Sequence, residues 1–315
     1  MSTVLITGIA GFIGSSIARA LLSEGASVRG IDNLSTGSLS NIEEIRSRID
    51  FRSGDIQDAQ AVREASEGVD YVFHEAAIPS VPKSVDDPIG TNGPILTGTL
   101  NVLEAARNAG VKRVLYAASS AAYGDSPELP KTETMCPSPL SPYAVQKLAG
   151  VHYLASYFSV YGLETVSLRY FNIFGPRQDP SSQYSGVLAR FISLMLAGQT
   201  PTIYGDGLTS RDFTYIDNVV SANLLAAKAP AEKVAGRVFN VATGKRITLL
   251  DAFAEIKRIT GYKGGVNHAP EREGDIKHSV ADISLARQAF DYEVVADLAY
   301  GLEKTIAWAR ESVAV

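Results

Sequence analysis

Thr7-Gly8-Ile9-Ala10-Gly11-Phe12-Ile13-Gly14 joins an apolar run, Thr3–Thr7, to a segment with helical periodicity, Phe12–Ser23. Gly8, Gly11 and Gly14 answer three needs of a strand–turn–helix unit that holds a dinucleotide. These are a tight turn, open approach of backbone N–H groups to a pyrophosphate, and close packing of helix on strand. A lone glycine triplet is an ordinary turn; its place after a strand, with Phe12 and Ile13 opening a helix, makes it a cofactor loop. Asp32 closes the next strand-like run, Ser27–Asp32, 18 residues after Gly14. A carboxylate there accepts hydrogen bonds from adenosine ribose hydroxyls and repels a 2′-phosphate, so the cofactor expected is NAD rather than NADP. Taken alone, Asp32 also reads as a turn aspartate beside Asn33.

Further strand-like runs follow at Asp50–Arg52, Asp70–Phe73, Arg113–Ala117 and Thr165–Tyr170, with helical candidates near Asp58–Ser66, Gly98–Ala109 and Pro142–Tyr161. That alternation predicts an α/β fold with a doubly wound parallel (Rossmann) sheet. Asp55-Ile56 and Ala76-Ala77 follow the third and fourth strands, on the carboxyl edge where such sheets bind ligand. After about residue 175 glycine and proline punctuate Gly175–Gly186 and Gly198–Gly207, and the elements shorten. The expectation is an NAD-binding domain over 1–175 and a smaller, mainly substrate-binding domain over 176–315. The apolar run Arg237–Val241 predicts a return of the chain to the sheet around 212–241.

The 315 residues are 45% hydrophobic and 20% charged, an ordinary soluble composition with enough chain for a sizeable core. With 29 basic and 34 acidic residues the net charge is −5, which argues against nucleic acid or an anionic membrane as partner. One cysteine, Cys136, leaves no internal disulfide framework and fits a reducing compartment. The four histidines, His74, His152, His268 and His278, are not at metal-ligand spacing. No signal peptide and no bilayer-length apolar run is evident, so a cytoplasmic location is expected.

Tyr143 and Lys147 stand i, i+4 within the helical segment that follows Ser141-Pro142, which puts both side chains on one face. An ammonium beside the phenol, together with the charge of oxidised nicotinamide, would favour phenolate and lower the tyrosine pKa from about 10. Such a tyrosine can take a proton from a sugar hydroxyl and return it. On its own Tyr-x-x-x-Lys fits any amphipathic helix; the glycine loop and Ser119-Ser120 after the fifth strand make it specific.

These motifs together resemble the extended short-chain dehydrogenase/reductases of the NAD-dependent epimerase/dehydratase group. The matching stretches are Thr-Gly-x-x-Gly-Phe-Ile-Gly (7–14), Asp32-Asn33, His74-x-Ala-Ala (74–77), Ala-Ser-Ser-x-x-Tyr-Gly (118–124) and Ser-Pro-Tyr-x-x-x-Lys (141–147). Downstream are Leu-Arg-Tyr-Phe-Asn-x-Phe-Gly-Pro (168–176), Ser-Arg-Asp-Phe-x-Tyr-Ile-Asp (210–217) and Arg-Glu-Gly-Asp (272–275). Within the group the chain is most similar to 4-epimerases of UDP-glucose and UDP-N-acetylglucosamine. The resemblance implies that Ser119 bonds the reacting sugar oxygen, with Ser120 beside it, and that Tyr170 and Phe171 lie near the nicotinamide. It implies that Asn172, Arg211, Arg272 and Asp275 hold the UDP diphosphate and ribose, a task suited to the charged fork of arginine. Taken singly, each arginine also reads as a surface salt bridge. Two positions depart from the family pattern: Ile95 replaces an asparagine before Gly98-Thr99, and Pro79 replaces a lysine after the fourth strand.

The scaffold supports several reactions, so the choice among them comes from residues. Dehydratases of the group carry Asp-Glu just after the active-site hydroxyl, and UDP-glucuronate decarboxylases carry glutamate at the second position; here stand Ser120-Ala121. Without a second acid/base the expected reaction is oxidation at C4, turning of the 4-keto sugar, and return of the hydride to the other face. A nucleotide-sugar reductase, a UDP-glucuronate epimerase and a non-catalytic nucleotide sensor are the alternatives. The family's pocket-wall position falls on Ser279, where a small residue implies room for an N-acetylated sugar; Ser279 also reads as a polar strand-end residue. Finally, Val145, Leu148, Val151, Leu154, Ala155, Phe158 and Val160 spread around the helix 142–161. That helix therefore wants burial on two sides, against the sheet and against a second copy in a homodimer, or beneath the second domain.

Overall fold

The computed structural model describes residues 2–179, 186–271 and 276–313. Its strands are β1 (Thr3–Thr7), β2 (Ser27–Asp32), β3 (Ile49–Ser53), β4 (Tyr71–His74), β5 (Arg113–Ser119), β6 (Glu164–Tyr170), β7 (Ile173–Phe174), β8 (Thr202–Tyr204), β9 (Ser210–Arg211), β10 (Thr214–Tyr215), β11 (Arg237–Val241), β12 (Ile247–Thr248) and β13 (Asn267–Ala269). Seven of them form one parallel sheet in the order β11-β6-β5-β4-β1-β2-β3. The order reverses between β1 and β4, and that switch point opens a crevice at the carboxyl ends of the strands. As the apolar run predicts, Arg237–Val241 returns to the sheet, pairing with β6 from Arg237 opposite Val166 to Val241 opposite Tyr170. The remaining strands pair two by two outside it.

The helices that place the site are α1 (Phe12–Ser23), α2 (Ala59–Ser66), α3 (Val81–Asp86), α4 (Pro88–Asn92), α5 (Gly98–Asn108), α6 (Pro142–Tyr161), α7 (Val187–Leu196) and α8 (Ile216–Lys228). Helices cover both faces of the sheet, so β5 and β6 are buried almost without alternation: Val114 to Ala118 are buried and apolar, and in β6 even Thr165, Ser167 and Arg169 are buried. Arg113, 1% exposed at the start of β5, donates through Nη1 to the carbonyls of Ala226, Ala227 and Ala229. It thereby satisfies the end of α8 and pins that helix to the sheet.

α6 runs over the residues its sequence predicts, for identifiable reasons. The Ser141 hydroxyl accepts from Ala144 N, Pro142 occupies the first turn, and Gly162 ends the helix in the left-handed region at φ 72°. The sequence does not announce α3, α4 or the π-helical turn Gly93–Thr97 that leads into α5. Pro82, Pro88, Gly90, Gly93 and Pro94 read there as breakers. Prolines stand in the first turns of α3 and α4, where a missing N–H costs nothing. Among the described residues no helix is long and apolar enough to cross a membrane.

Candidate active site

The glycine loop is built for close approach. Gly8 has φ 71°, and a Cβ there would stand 2.8 Å from the backbone of Ala76; a Cβ on Gly14 would stand 2.2 Å from the Gly8 carbonyl oxygen. Any side chain at either position would push β1, α1 and the turn after β4 apart. Gly11 is the N-cap of α1, and no side chain caps the first turn. Its leading N–H groups, around Phe12 and Ile13, therefore remain for an anion, as a pyrophosphate requires. Asp32 is 8% exposed; its Oδ2 accepts from Ala10 N at 2.9 Å and its Oδ1 from Leu34 N at 2.8 Å. Burial raises its pKa and the two backbone N–H groups oppose this. Both readings of Asp32 thus meet in one residue: it ties the turn and still has lone pairs for ribose hydroxyls.

Asn33 Nδ2 donates to Asp55 Oδ2 at 2.8 Å, and Asp55 Oδ1 accepts from Gln57 N. Burial works against the Asp55 charge, yet these hydrogen bonds outweigh it and hold the carboxyl below its usual range. Ile56 packs under Gly98, where a Cβ would meet its Cδ1 at 2.5 Å. An NAD molecule fits this edge: an uncapped helix start, glycines that admit no side chain, and an acid at the end of β2.

The turn Ala76-Ala77 hangs on a buried relay. Ala76 N donates to Thr7 Oγ1. Because Thr99 spends its hydroxyl proton on the Ile95 carbonyl, it can only accept from His74 Nε2. The bare Nδ1 therefore accepts the Thr7 hydroxyl at 2.7 Å. Burial, reinforced by the Lys147 charge, pulls His74 down to about 3, so it stays neutral. Ile95, 1% exposed, therefore takes part through its backbone, while the Pro79 position leads into Ser80, which caps α3.

Tyr143, Lys147 and Ser119 come together where α6 crosses the carboxyl end of β5. Lys147, 3% exposed, donates from Nζ to the Ala117 carbonyl at 2.7 Å and lies 4.8 Å from the Tyr116 ring centroid. Ser119 stands close enough to the Tyr143 phenol to lower its pKa, and its hydroxyl accepts from Ala121 N, capping the turn that begins at Ser120. In one respect the expectation needs correcting. Burial raises the Tyr143 pKa, and Ser119 only partly offsets it. Lys147 is itself drawn down to about 8 by burial, against the pull of Glu75. In the protein chain alone phenolate is thus disfavoured; the positive charge of oxidised nicotinamide would act in the opposite direction.

At the end of β6 Tyr170 is buried; past it Asn172, in the positive-φ region at 32°, donates from Nδ2 to the Asp212 carbonyl. Arg211 Nη1 donates to the carbonyls of Ser210 and Lys277. Ser210 pairs with the 277–279 segment on both sides: Ser210 N donates to Lys277 O, and Ser279 N to Ser210 O. Arg211 and Ser279 are thereby neighbours on one wall, and Ser279 is 8% exposed. Arg272 and Asp275 lie outside the described residues.

Two residues had no role in the sequence reading. Asp212, fully buried, accepts from Thr243 N, Thr243 Oγ1, Gly244 N and Ala281 N, binding three loops behind the Arg211 wall. Glu75, the unspecified residue of His74-x-Ala-Ala, accepts the Tyr170 hydroxyl; a carboxylate just after a buried strand was its available signal.

Residues 4–242 match the model of the NAD dependent epimerase/dehydratase family. Among solved structures, a UDP-glucose 4-epimerase of Thermotoga maritima with UDP-glucose is 36% identical, with TM-score 0.94 and 99% of each chain covered. A UDP-N-acetylglucosamine 4-epimerase of Methanobrevibacter ruminantium in complex with UDP-N-acetylmuramic acid is 39% identical, with TM-score 0.92 and 99% of each chain covered. A UDP-glucuronic acid 4-epimerase of Bacillus cereus with UDP-glucuronic acid and NAD is 32% identical, with TM-score 0.90, covering 98% of this chain and 99% of that one.

Proposed function

Because the chain belongs to the NAD-dependent epimerase/dehydratase family, as an isomerase of the UDP-sugar 4-epimerase kind, we propose that it interconverts UDP-GlcNAc with UDP-GalNAc, and UDP-Glc with UDP-Gal, at one site. The observation that carries this reading is the placement of Tyr143 and Ser119 beside buried Lys147, whose Nζ is held on the Ala117 carbonyl at the carboxyl edge of the sheet. NAD, when bound, accepts hydride from C4 and gives it back. Tyr143 takes the 4-hydroxyl proton and later returns it, and Ser119 aligns that oxygen. Lys147 holds charge beside the phenol. Arg211, with Arg272 and Asp275, holds the nucleotide while the keto sugar turns, and Ser279 leaves space at the sugar's C2 substituent.

Incubation with UDP-GlcNAc, UDP-Glc and UDP-glucuronate separately, with C4 stereochemistry read by NMR, tests the assignment. Conversion of the first two is the expected result; turnover of UDP-glucuronate alone would replace the substrate reading. A cycle that returns its hydride gains nothing by releasing the cofactor. The denatured, purified protein should therefore release nicotinamide dinucleotide that was never added, and an empty supernatant counts against a closed cycle.

Residues 176–315, apart from the return around 212–241, form the UDP-sugar-binding part in this reading. Tyr153 and Val160 project from α6 and are exposed, and Val145 and Leu140 near its start are exposed as well. An apolar face of that extent suits a second copy of the chain, so the protein is a homodimer. Sedimentation should give twice the 33.6 kDa chain mass, and Tyr153→Glu should shift it towards monomer.

A further inference from the structure

We propose that Glu75 is a positioning residue for Lys147: framed by Tyr170 and Asn223, its carboxylate keeps the lysine charged beside Tyr143. The inference rests on the reading of Tyr143 and Lys147 as the acid/base pair and adds a residue from another strand.

The register of the sheet brings the groups together. β4 pairs with β5 through His74 opposite Tyr116, so Glu75 comes next to Ala117, whose carbonyl receives Lys147 Nζ at 2.7 Å. β5 pairs with β6 through Ser119 opposite Tyr170. Tyr170 donates its hydroxyl to Glu75 Oε1 at 3.0 Å and accepts from Asn223 Nδ2 at 2.8 Å. Glu75 Oε2 is enclosed and has no hydrogen-bond partner. A buried carboxyl with one bare oxygen is costly unless an opposite charge answers it. The cation that bears on it is Lys147.

The other groups around the pair bring no competing charge. His74, on the same strand, is neutral, and burial pushes the phenols of Tyr116 on β5 and Tyr170 on β6 upwards. Tyr143 on α6 is raised as well, and Asn223 on α8 is not ionisable. Burial pushes Glu75 up to about 7 and Lys147 down to about 8, while each charge pulls the other back. The sign follows directly. Without the negative charge, no opposite charge offsets the desolvation of Lys147, and its ammonium loses the proton at lower pH.

Glu75→Gln keeps the volume and a carbonyl oxygen for Tyr170 but carries no charge. The Lys147 midpoint is read in the purified holoenzyme by NMR of lysines labelled with carbon-13 at the ε position, its signal assigned by its loss in Lys147→Met. Glu75→Gln should lower that midpoint by about one pH unit, the lower end of the effect of a nearby opposite charge. The alkaline limb of kcat/KM should move down with it. Coupling is reciprocal, so Lys147→Met should raise the Glu75 carboxyl midpoint, read from labelled glutamate, by the same amount. A Lys147 midpoint unmoved in Glu75→Gln would leave Glu75 as a mere acceptor for Tyr170 and overturn the inference. A Glu75 midpoint unmoved in Lys147→Met does the same, and either variant decides if the other fails to fold. Failure of the acid/base reading itself would show elsewhere, as turnover retained when Tyr143 is replaced by phenylalanine.

Discussion

Tyr143→Phe should lose turnover by about 10²–10⁴-fold, the usual worth of a positioned proton-transfer group, while still folding and holding NAD. The phenol oxygen contributes little to packing: α6 is fixed by the Ser141 cap, Gly162, and Gly150 under the Tyr116 ring, where a Cβ would meet the hydroxyl at 2.4 Å. The loss therefore belongs to chemistry. It should fall on kcat, because the proton moves in the transition state, and leave KM for the UDP-sugar nearly unchanged. Ser119→Ala should be impaired through lost alignment of the 4-hydroxyl, and more than Ser120→Ala, since Ser119 stands beside the phenol and Ser120 begins the next turn. A Tyr143→Phe variant that keeps more than half the native kcat refutes the assignment, and the reverse order for the serines moves the alignment role to Ser120.

The cofactor half of this site was legible because its signals are backbone signals. Gly8 and Gly14 sit where no Cβ fits, and the switch from strand alternation to helical periodicity at Phe12 coincides with the start of α1. α6 was legible for the same reason, being bounded by Ser141-Pro142 and Gly162. What depends on three-dimensional burial was not legible. Lys147 and Tyr143 read as a pair in which a cation lowers a phenol pKa; the enclosed edge of β5 instead raises the phenol and lowers the lysine. Glu75 is not legible because its partner Tyr170, and the Asn223 amide that bonds Tyr170, lie 95 and 148 residues further along the chain and are brought to it only by the fold. α3 and α4 were hidden by prolines that serve as helix starts rather than breaks.

Ser279→Tyr should suppress the N-acetylated reaction while leaving UDP-Glc and UDP-Gal interconverting. The backbone at this position has no freedom to retreat. Ser279 N donates to the Ser210 carbonyl, His278 Nδ1 bonds the Ser210 hydroxyl at 2.8 Å, and Ser210 itself is 1% exposed. Arg211, which the proposed function sets on the diphosphate, is the next residue along that strand. A larger side chain here must project from a fixed wall towards the space beside the nucleotide, or strain the wall. Overpacking of that kind costs about 1–3 kcal/mol. That corresponds to about 5–160-fold in the ratio of kcat/KM when only one of two substrates meets the added bulk. The acetamido group must fit in both orientations of the turning ketone, so UDP-GlcNAc meets it and UDP-Glc, with a hydroxyl at C2, does not. The measurement is kcat/KM for both sugars in the native protein and the variant. Equal losses on the two would mean that tyrosine damages the wall without discriminating, and a native enzyme inert towards UDP-GlcNAc would remove Ser279 as the determinant.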